Sequence, residues 1–276
     1  MLQTPVVRFE HPKSGRSVTV VATMHKGSAA YYQQLRTVID EMEAAGAVVC
    51  MEGADSSEQD WAAASGEERA AVARYYERRA PRLAEAASRY LGWVDQSAAL
   101  GSSPSWRKAD MARLELVRQA GPQNMLGLWV PGNEFGRLTP DQQEALAGAG
   151  YSIGVRLEQF PWLTDLMRRL FARLAGDASR RIDDVVVEGR NRFVLASLPG
   201  DSDAALPWGA GHLPGLAAGL RKAGYRRRET TWLTVGALPA VWPSVRLFWT
   251  EIRPLWAAIG TEDRTSPETR RPNSAA

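Results

Sequence analysis

Two of the chain's three histidines, His25 and His212, close the similar stretches Ala22-Thr23-Met24-His25 and Gly209-Ala210-Gly211-His212. A histidine at the carboxyl end of a strand, after small residues that let backbone come close, is well placed as a metal ligand or a general base. Glu52 ends a further apolar run, residues 47–51. The three side chains would offer two nitrogens and one carboxylate oxygen to a divalent ion such as Mn, Co or Zn, with positions left for water and substrate. Such an ion lowers the pKa of its bound water and polarises a carbonyl, so the expected chemistry is hydrolysis, foremost of a peptide or similar amide. Glu52 is either ligand or general base. A metal-free version has His25 or Glu52 deprotonate water for attack on an ester. Each histidine alone also suits a helix cap or a bond to a loop carbonyl.

Other polar residues extend this set. Arg190 and Asn191 follow Glu188-Gly189, and a guanidinium beside an amide suits polarising a carbonyl or steadying an oxyanion, with structural ion pairing as the competing reading. Gln96 and Asp110, with Gly209 and Gly211, are candidate substrate-binding residues. Asp110, ahead of Met111-Ala112-Arg113-Leu114, also reads as a helix N-cap. His11 lies in an early turn and is assigned no role.

The elements that must position these residues show in the pattern. Residues 6–10 and 17–24 are rich in β-branched residues and flank Pro12-Lys13-Ser14-Gly15, which reads as a β-hairpin. Apolar residues at helical spacing over 29–45, a stop at Gly46 and a short buried strand at 47–51 complete a strand–helix–strand unit. Such a unit is expected to set its two strands side by side, with His25 and Glu52 on one rim. Residues 54–180 read as a mostly helical insertion, with periodicity around 66–91 and 140–175. A helix carrying Asp183 and Asp184 then leads to Arg190, followed by an apolar run at 193–198. After Pro207 the plan of the first half returns: His212, a helix over 216–223, Gly224 and a strand near 230–235. The expected fold is α/β, a central mixed β-sheet flanked by helices and built from two similar halves. One domain spans 1–260, and the polar tail 261–276 reads as disordered.

Composition narrows the classes. The chain has 276 residues, 45% hydrophobic and 24% charged, which suits a soluble globular protein with a full core. Its net charge is +3, but only four of 34 basic residues are Lys and no basic stripe carries interleaved aromatics, so no nucleic-acid partner is expected. Cys50 stands alone in an apolar run, which suits a buried inert thiol in a reducing, cytoplasmic setting, and the amino terminus offers no secretory signal pattern. Residues 232–259 carry Trp232, Trp242, Trp249 and Trp256. Interspersed prolines and charges argue against a simple spanning helix, leaving either a core-packed strand and amphipathic helix or a membrane-interface or protein contact.

Ala22-Thr23-Met24-His25, Glu52-Gly53, Glu188-Gly189-Arg190-Asn191 and Gly209-Ala210-Gly211-His212, in that order over most of residues 17–235, resemble the motifs of the TraB, PrgY, GumN and TIKI family. The stretches around Gln96 and Trp106–Asp110 are similar to segments of its soluble bacterial members. The resemblance implies an α/β fold shared with erythromycin esterases and haem-binding ChaN-like proteins, and the metal-dependent protease activity of the animal members. It assigns the histidine roles to His25 and His212, the acidic role to Glu52 and the arginine–asparagine role to Arg190 and Asn191. Ala22 stands where the first motif has Gly. Because relatives include binding proteins, capture of a peptide or hydrophobic ligand without turnover is the expectation from another class.

Overall fold

The computed structural model describes residues 1–53, 55–78, 81–126, 139–158, 181–182, 184–238, 240, 242, 245, 246, 249 and 250. The part of the expected helical stretch 140–175 beyond residue 158, Asp183, Trp256 and the tail 261–276 lie outside the described residues.

A six-stranded mixed sheet forms the centre, in the order β6-β4-β7-β2-β1-β8. Its strands are β1 (Leu2–Glu10), β2 (Ser17–Thr23), β4 (Val48–Met51), β6 (Arg107–Lys108), β7 (Ala204–Gly209) and β8 (Arg226–Gly236). A two-residue ladder pairs β3 (Lys26–Gly27) with β5 (Val94–Asp95). The hairpin of β1 and β2 forms as expected, closed by Gly15 at φ +71°. β6, β4, β7 and β2 are successive parallel neighbours, and β8 joins antiparallel to β1, itself antiparallel to β2. Five strands therefore run one way and β1 the other.

Period-2 alternation sends the sheet's side chains to two helical layers. Val6, Val21, Val49, Ala205, Leu233 and Val235 face helix α1 (Ala29–Ala44), whose Tyr31, Tyr32, Leu35 and Ile39 are buried. Burying Leu35 and Ile39 contributes about 1.5–3 kcal/mol each, so this one helix face anchors its layer. Val7, Phe9, Val18, Val20, Cys50, Leu206 and Trp208 pack on the other face. The insertion supplies the short helices α2 (Glu58–Ala63), α3 (Gly66–Arg78), α4 (Pro81–Leu91), α5 (Gln96–Leu100), α6 (Arg113–Ala120), α7 (Pro122–Leu126) and α8 (Pro140–Glu158). Part of it, including Val72, Leu114, Val117 and Met125, has a small core of its own. Helices α9 (Arg190–Ala196) and α10 (Leu213–Lys222) cover the second sheet face through Val194, Leu216 and Leu220.

One expectation is corrected. β2 and β4 do not lie side by side: β7 sits between them, bonded to both. The apolar run at 193–198 belongs mainly to α9, and the strand preceding His212 is Ala204–Gly209. Pro207 had disguised it. Its carbonyl faces Glu52 N on the β4 side, so its missing N–H faces that side too, where the ladder with β4 has already ended at Ala205. Among the described residues no helix is long and apolar enough to cross a membrane. Trp232, Trp242 and Trp249 are 56%, 80% and 63% exposed, so those three are not core-packed.

Candidate functional site

Four adjacent parallel strands each release a polar residue within three positions of their carboxyl ends. Across the sheet these are Asp110 after β6, Glu52 after β4, His212 after β7 and His25 after β2. The insertion of β7 thus sets His212 between the other two expected residues. The rim of such strands is where ligands gather in α/β sheets.

Arg190 ties three of the four together. It opens α9 directly after a π-helical turn over Asp184–Gly189, which delivers it onto the rim. Its Nε donates to Asp110 Oδ1 at 2.9 Å, and Nη2 donates to Asp110 Oδ2 at 2.5 Å and to Glu52 Oε1 at 2.7 Å. Nη1 lies 3.3 Å from His212 Nε2. Below them the buried Trp208 donates Nε1–H to Cys50 O at 3.0 Å, meets the His212 ring edge to face at 5.1 Å, and has the guanidinium 5.3 Å over its ring. Sequence reasoning passed over Trp208. Its signal was an aromatic residue beside Gly209 at a strand end.

The tautomer of His212 follows from these partners. A guanidinium has donors only, so the nitrogen it approaches, Nε2, is the bare one. Nδ1 carries the hydrogen and donates it to Asn191 Oδ1 at 2.9 Å. Burial, reinforced by the charge of Arg190 and opposed by that of Glu52, holds the His212 pKa below its ordinary value, which keeps the ring neutral. For Glu52 burial pushes the pKa up, but Arg190, the Gly209 N–H and His212 together outweigh it and the carboxyl is held low. Arg190 is disfavoured by burial and more strongly favoured by Asp110 and Glu52, so its pKa is raised.

Asp110 is not a helix N-cap: α6 begins three residues later with Ala112 as its cap residue. It is 5% exposed and, besides Arg190, accepts from Gly53 N at 2.8 Å and Met111 N at 2.7 Å. It therefore holds the site and does not face a substrate. Gly209 donates its N–H to Glu52 Oε2 at 2.6 Å, whereas a Cβ on Gly211 would meet only open space. Arg190, with each guanidinium nitrogen committed, is an ion-paired clamp and not a free oxyanion donor. Asn191 lies behind His212.

His25 is exposed on the same rim, and its charge acts on His212. Its loop is held from α1 and α5. Tyr32 donates its hydroxyl to Met24 O at 2.7 Å, Tyr31 Oη accepts from Met24 N at 3.3 Å, and Gln96 N donates to His25 O at 2.9 Å. The Gln96 side chain also reaches Thr23 Oγ1 at 3.3 Å. Gln96 is thus placed to position His25, a role its place in the sequence did not reveal.

A divalent ion between His212 Nε2 and Glu52 Oε1, 3.7 Å apart, does not fit this arrangement, because the Arg190 guanidinium bonds both atoms. Among the described residues no group of three His, Cys, Asp or Glu side chains is arranged to hold a metal. No protein-family model, curated protein or solved structure matches the chain. Its function therefore rests on the site.

Proposed function

We propose that the chain is a hydrolase that cleaves an ester or amide, including peptide bonds, with water activated on the rim by His25 and without a metal ion. The observation that supports this reading is the exposed imidazole of His25 on the same sheet rim as the buried Glu52–Arg190–Asp110–His212–Asn191 network. Glu52 and Arg190 neutralise each other and are poor candidates for proton transfer, while His25 has a free path to solvent and substrate. The proton that His25 takes from water returns from its imidazole to the leaving group, while His212, neutral and with Nε2 toward Arg190 Nη1, holds the guanidinium in place on the rim. The exposed loop at Gly211 is where backbone of the scissile group can approach. A lone, buried Cys50 fits a reducing compartment, and the proposal places the enzyme in the cytoplasm. The Trp-rich region is proposed as a protein or membrane-surface contact.

The test is turnover of a panel of p-nitrophenyl esters and fluorogenic peptides by purified protein, with metal content measured on the same sample. Removing a general base costs about 10²–10⁴-fold, so His25→Ala should lose at least 100-fold in kcat/KM and a chelator should change nothing. Activity that tracks a stoichiometric metal would replace this reading with the metal-dependent peptidase. Saturable peptide binding with no product would replace it with a non-catalytic binding protein.

A further inference from the structure

Asn191 is 2% exposed, and among the described residues its Nδ2 has no hydrogen-bond partner. The amide cannot be turned to relieve this. Turned, Nδ2 would donate to His212 Nδ1, the ring hydrogen would move to Nε2, and that hydrogen would face the donor Arg190 Nη1 3.3 Å away. The unpartnered Nδ2 lies instead against Gly215, in the first turn of α10, where a Cβ would overlap it. The same Cβ would come 3.2 Å from Glu188 Oε2, but Glu188 is exposed and can swing away, whereas Asn191 is enclosed.

We propose that Gly215 is a positioning residue for His212: its missing side chain is the space that lets the Asn191 amide reach His212 Nδ1, and so keeps Nε2 bare toward Glu52 and Arg190. Gly215 touches neither rim nor substrate, and it acts only through Asn191. The proposal deepens the hydrolase reading, whose rim network needs the bare Nε2 as the acceptor for Arg190, but the arrangement of hydrogens on His212 can be read without turnover.

The experiment is long-range ¹H–¹⁵N correlation NMR of the full chain. Its three histidines give three ring patterns, and His212 is assigned by its loss in His212→Gln. The wild-type chain should show His212 with hydrogen on Nδ1. Gly215→Ala should shift it to the Nε2–H form or a mixture, Asn191→Ala should do the same, and adding Gly215→Ala to Asn191→Ala should change nothing further. If Gly215→Ala alone does not fold, Asn191→Ala/Gly215→Ala should still fold and melt as Asn191→Ala does, since the overlapped group is gone. Retention of the pure Nδ1–H form in Gly215→Ala or Asn191→Ala overturns the proposal. So does a Gly215→Ala effect of full size, or a failure to fold, in the Asn191→Ala background. A wild-type chain that shows the expected tautomer and hydrolyses nothing would count against the hydrolase and leave this assignment standing.

Discussion

Arg190 is the residue on which the site's charges depend. Its side chain is 8% exposed, and it meets Glu52 and Asp110 side chains that are 13% and 2% exposed. Taking the guanidinium away leaves two enclosed carboxylates without a counter-charge. Breaking a buried pair in this manner costs about 3–5 kcal/mol, far more than the same change at a surface pair. Arg190→Met should therefore lower stability by about that much in urea denaturation. Adding Asp110→Asn should return part of the loss, because one buried charge then disappears. An unchanged denaturation midpoint for Arg190→Met would mean that the two carboxylates find other partners. The sequence showed these residues only as separate candidates. Nothing in the spacing of Glu52, Asp110 and Arg190 reveals that a single guanidinium bridges positions 58 and 80 residues apart, since such pairing is decided by strand order.

At the scale of elements, much was legible where a local pattern carried the signal. Alternating β-branched residues and a Gly-containing turn gave the first hairpin, and helical spacing from Tyr32 to Met42 gave α1 to within a residue. What stayed hidden was set by long-range pairing. β7 carries a proline whose harmlessness depends on where β4 stops, and β7's place between β2 and β4 is a property of the sheet and not of any segment. The loop bearing His25 shows the same division. Its end-of-strand position can be read in the sequence, but its restraint by Tyr32, seven residues further on, needs α1 docked on the sheet. Tyr32→Phe removes the 2.7 Å bond to the Met24 carbonyl and leaves that acceptor without its donor. The loss in stability should be about 1 kcal/mol by thermal or urea melting. If His25 acts as proposed, kcat should fall further than this modest destabilisation explains while KM changes little. A variant with unaltered kcat would show that the loop keeps its shape without the tyrosine.

For the whole molecule, the rim network couples folding to pH in one direction. Both Glu52 and His212 have pKa values held below their ordinary ones in the fold, so between the folded and unfolded values the unfolded chain binds more protons than the native chain. Stability then rises with pH across those windows and falls as acid is added. His212 acts first: below its ordinary value of 6.5 the unfolded ring protonates while the native ring stays neutral, until its lowered native pKa is reached. Glu52 follows below 4.5, where the unfolded carboxyl protonates and the native one, facing Arg190, resists. Asp203 and Asp95, also held low, add to the acid limb. Urea melts from pH 8 to pH 4 should show stability level above about pH 7 and declining below it. His212→Gln should flatten the decline between pH 6.5 and 5 and leave the steeper loss below 4.5 in place. A wild-type profile that is flat from pH 7 to 5 would mean that His212 protonates as readily in the fold as outside it. The ring could not then be the neutral acceptor that holds Arg190 on the rim.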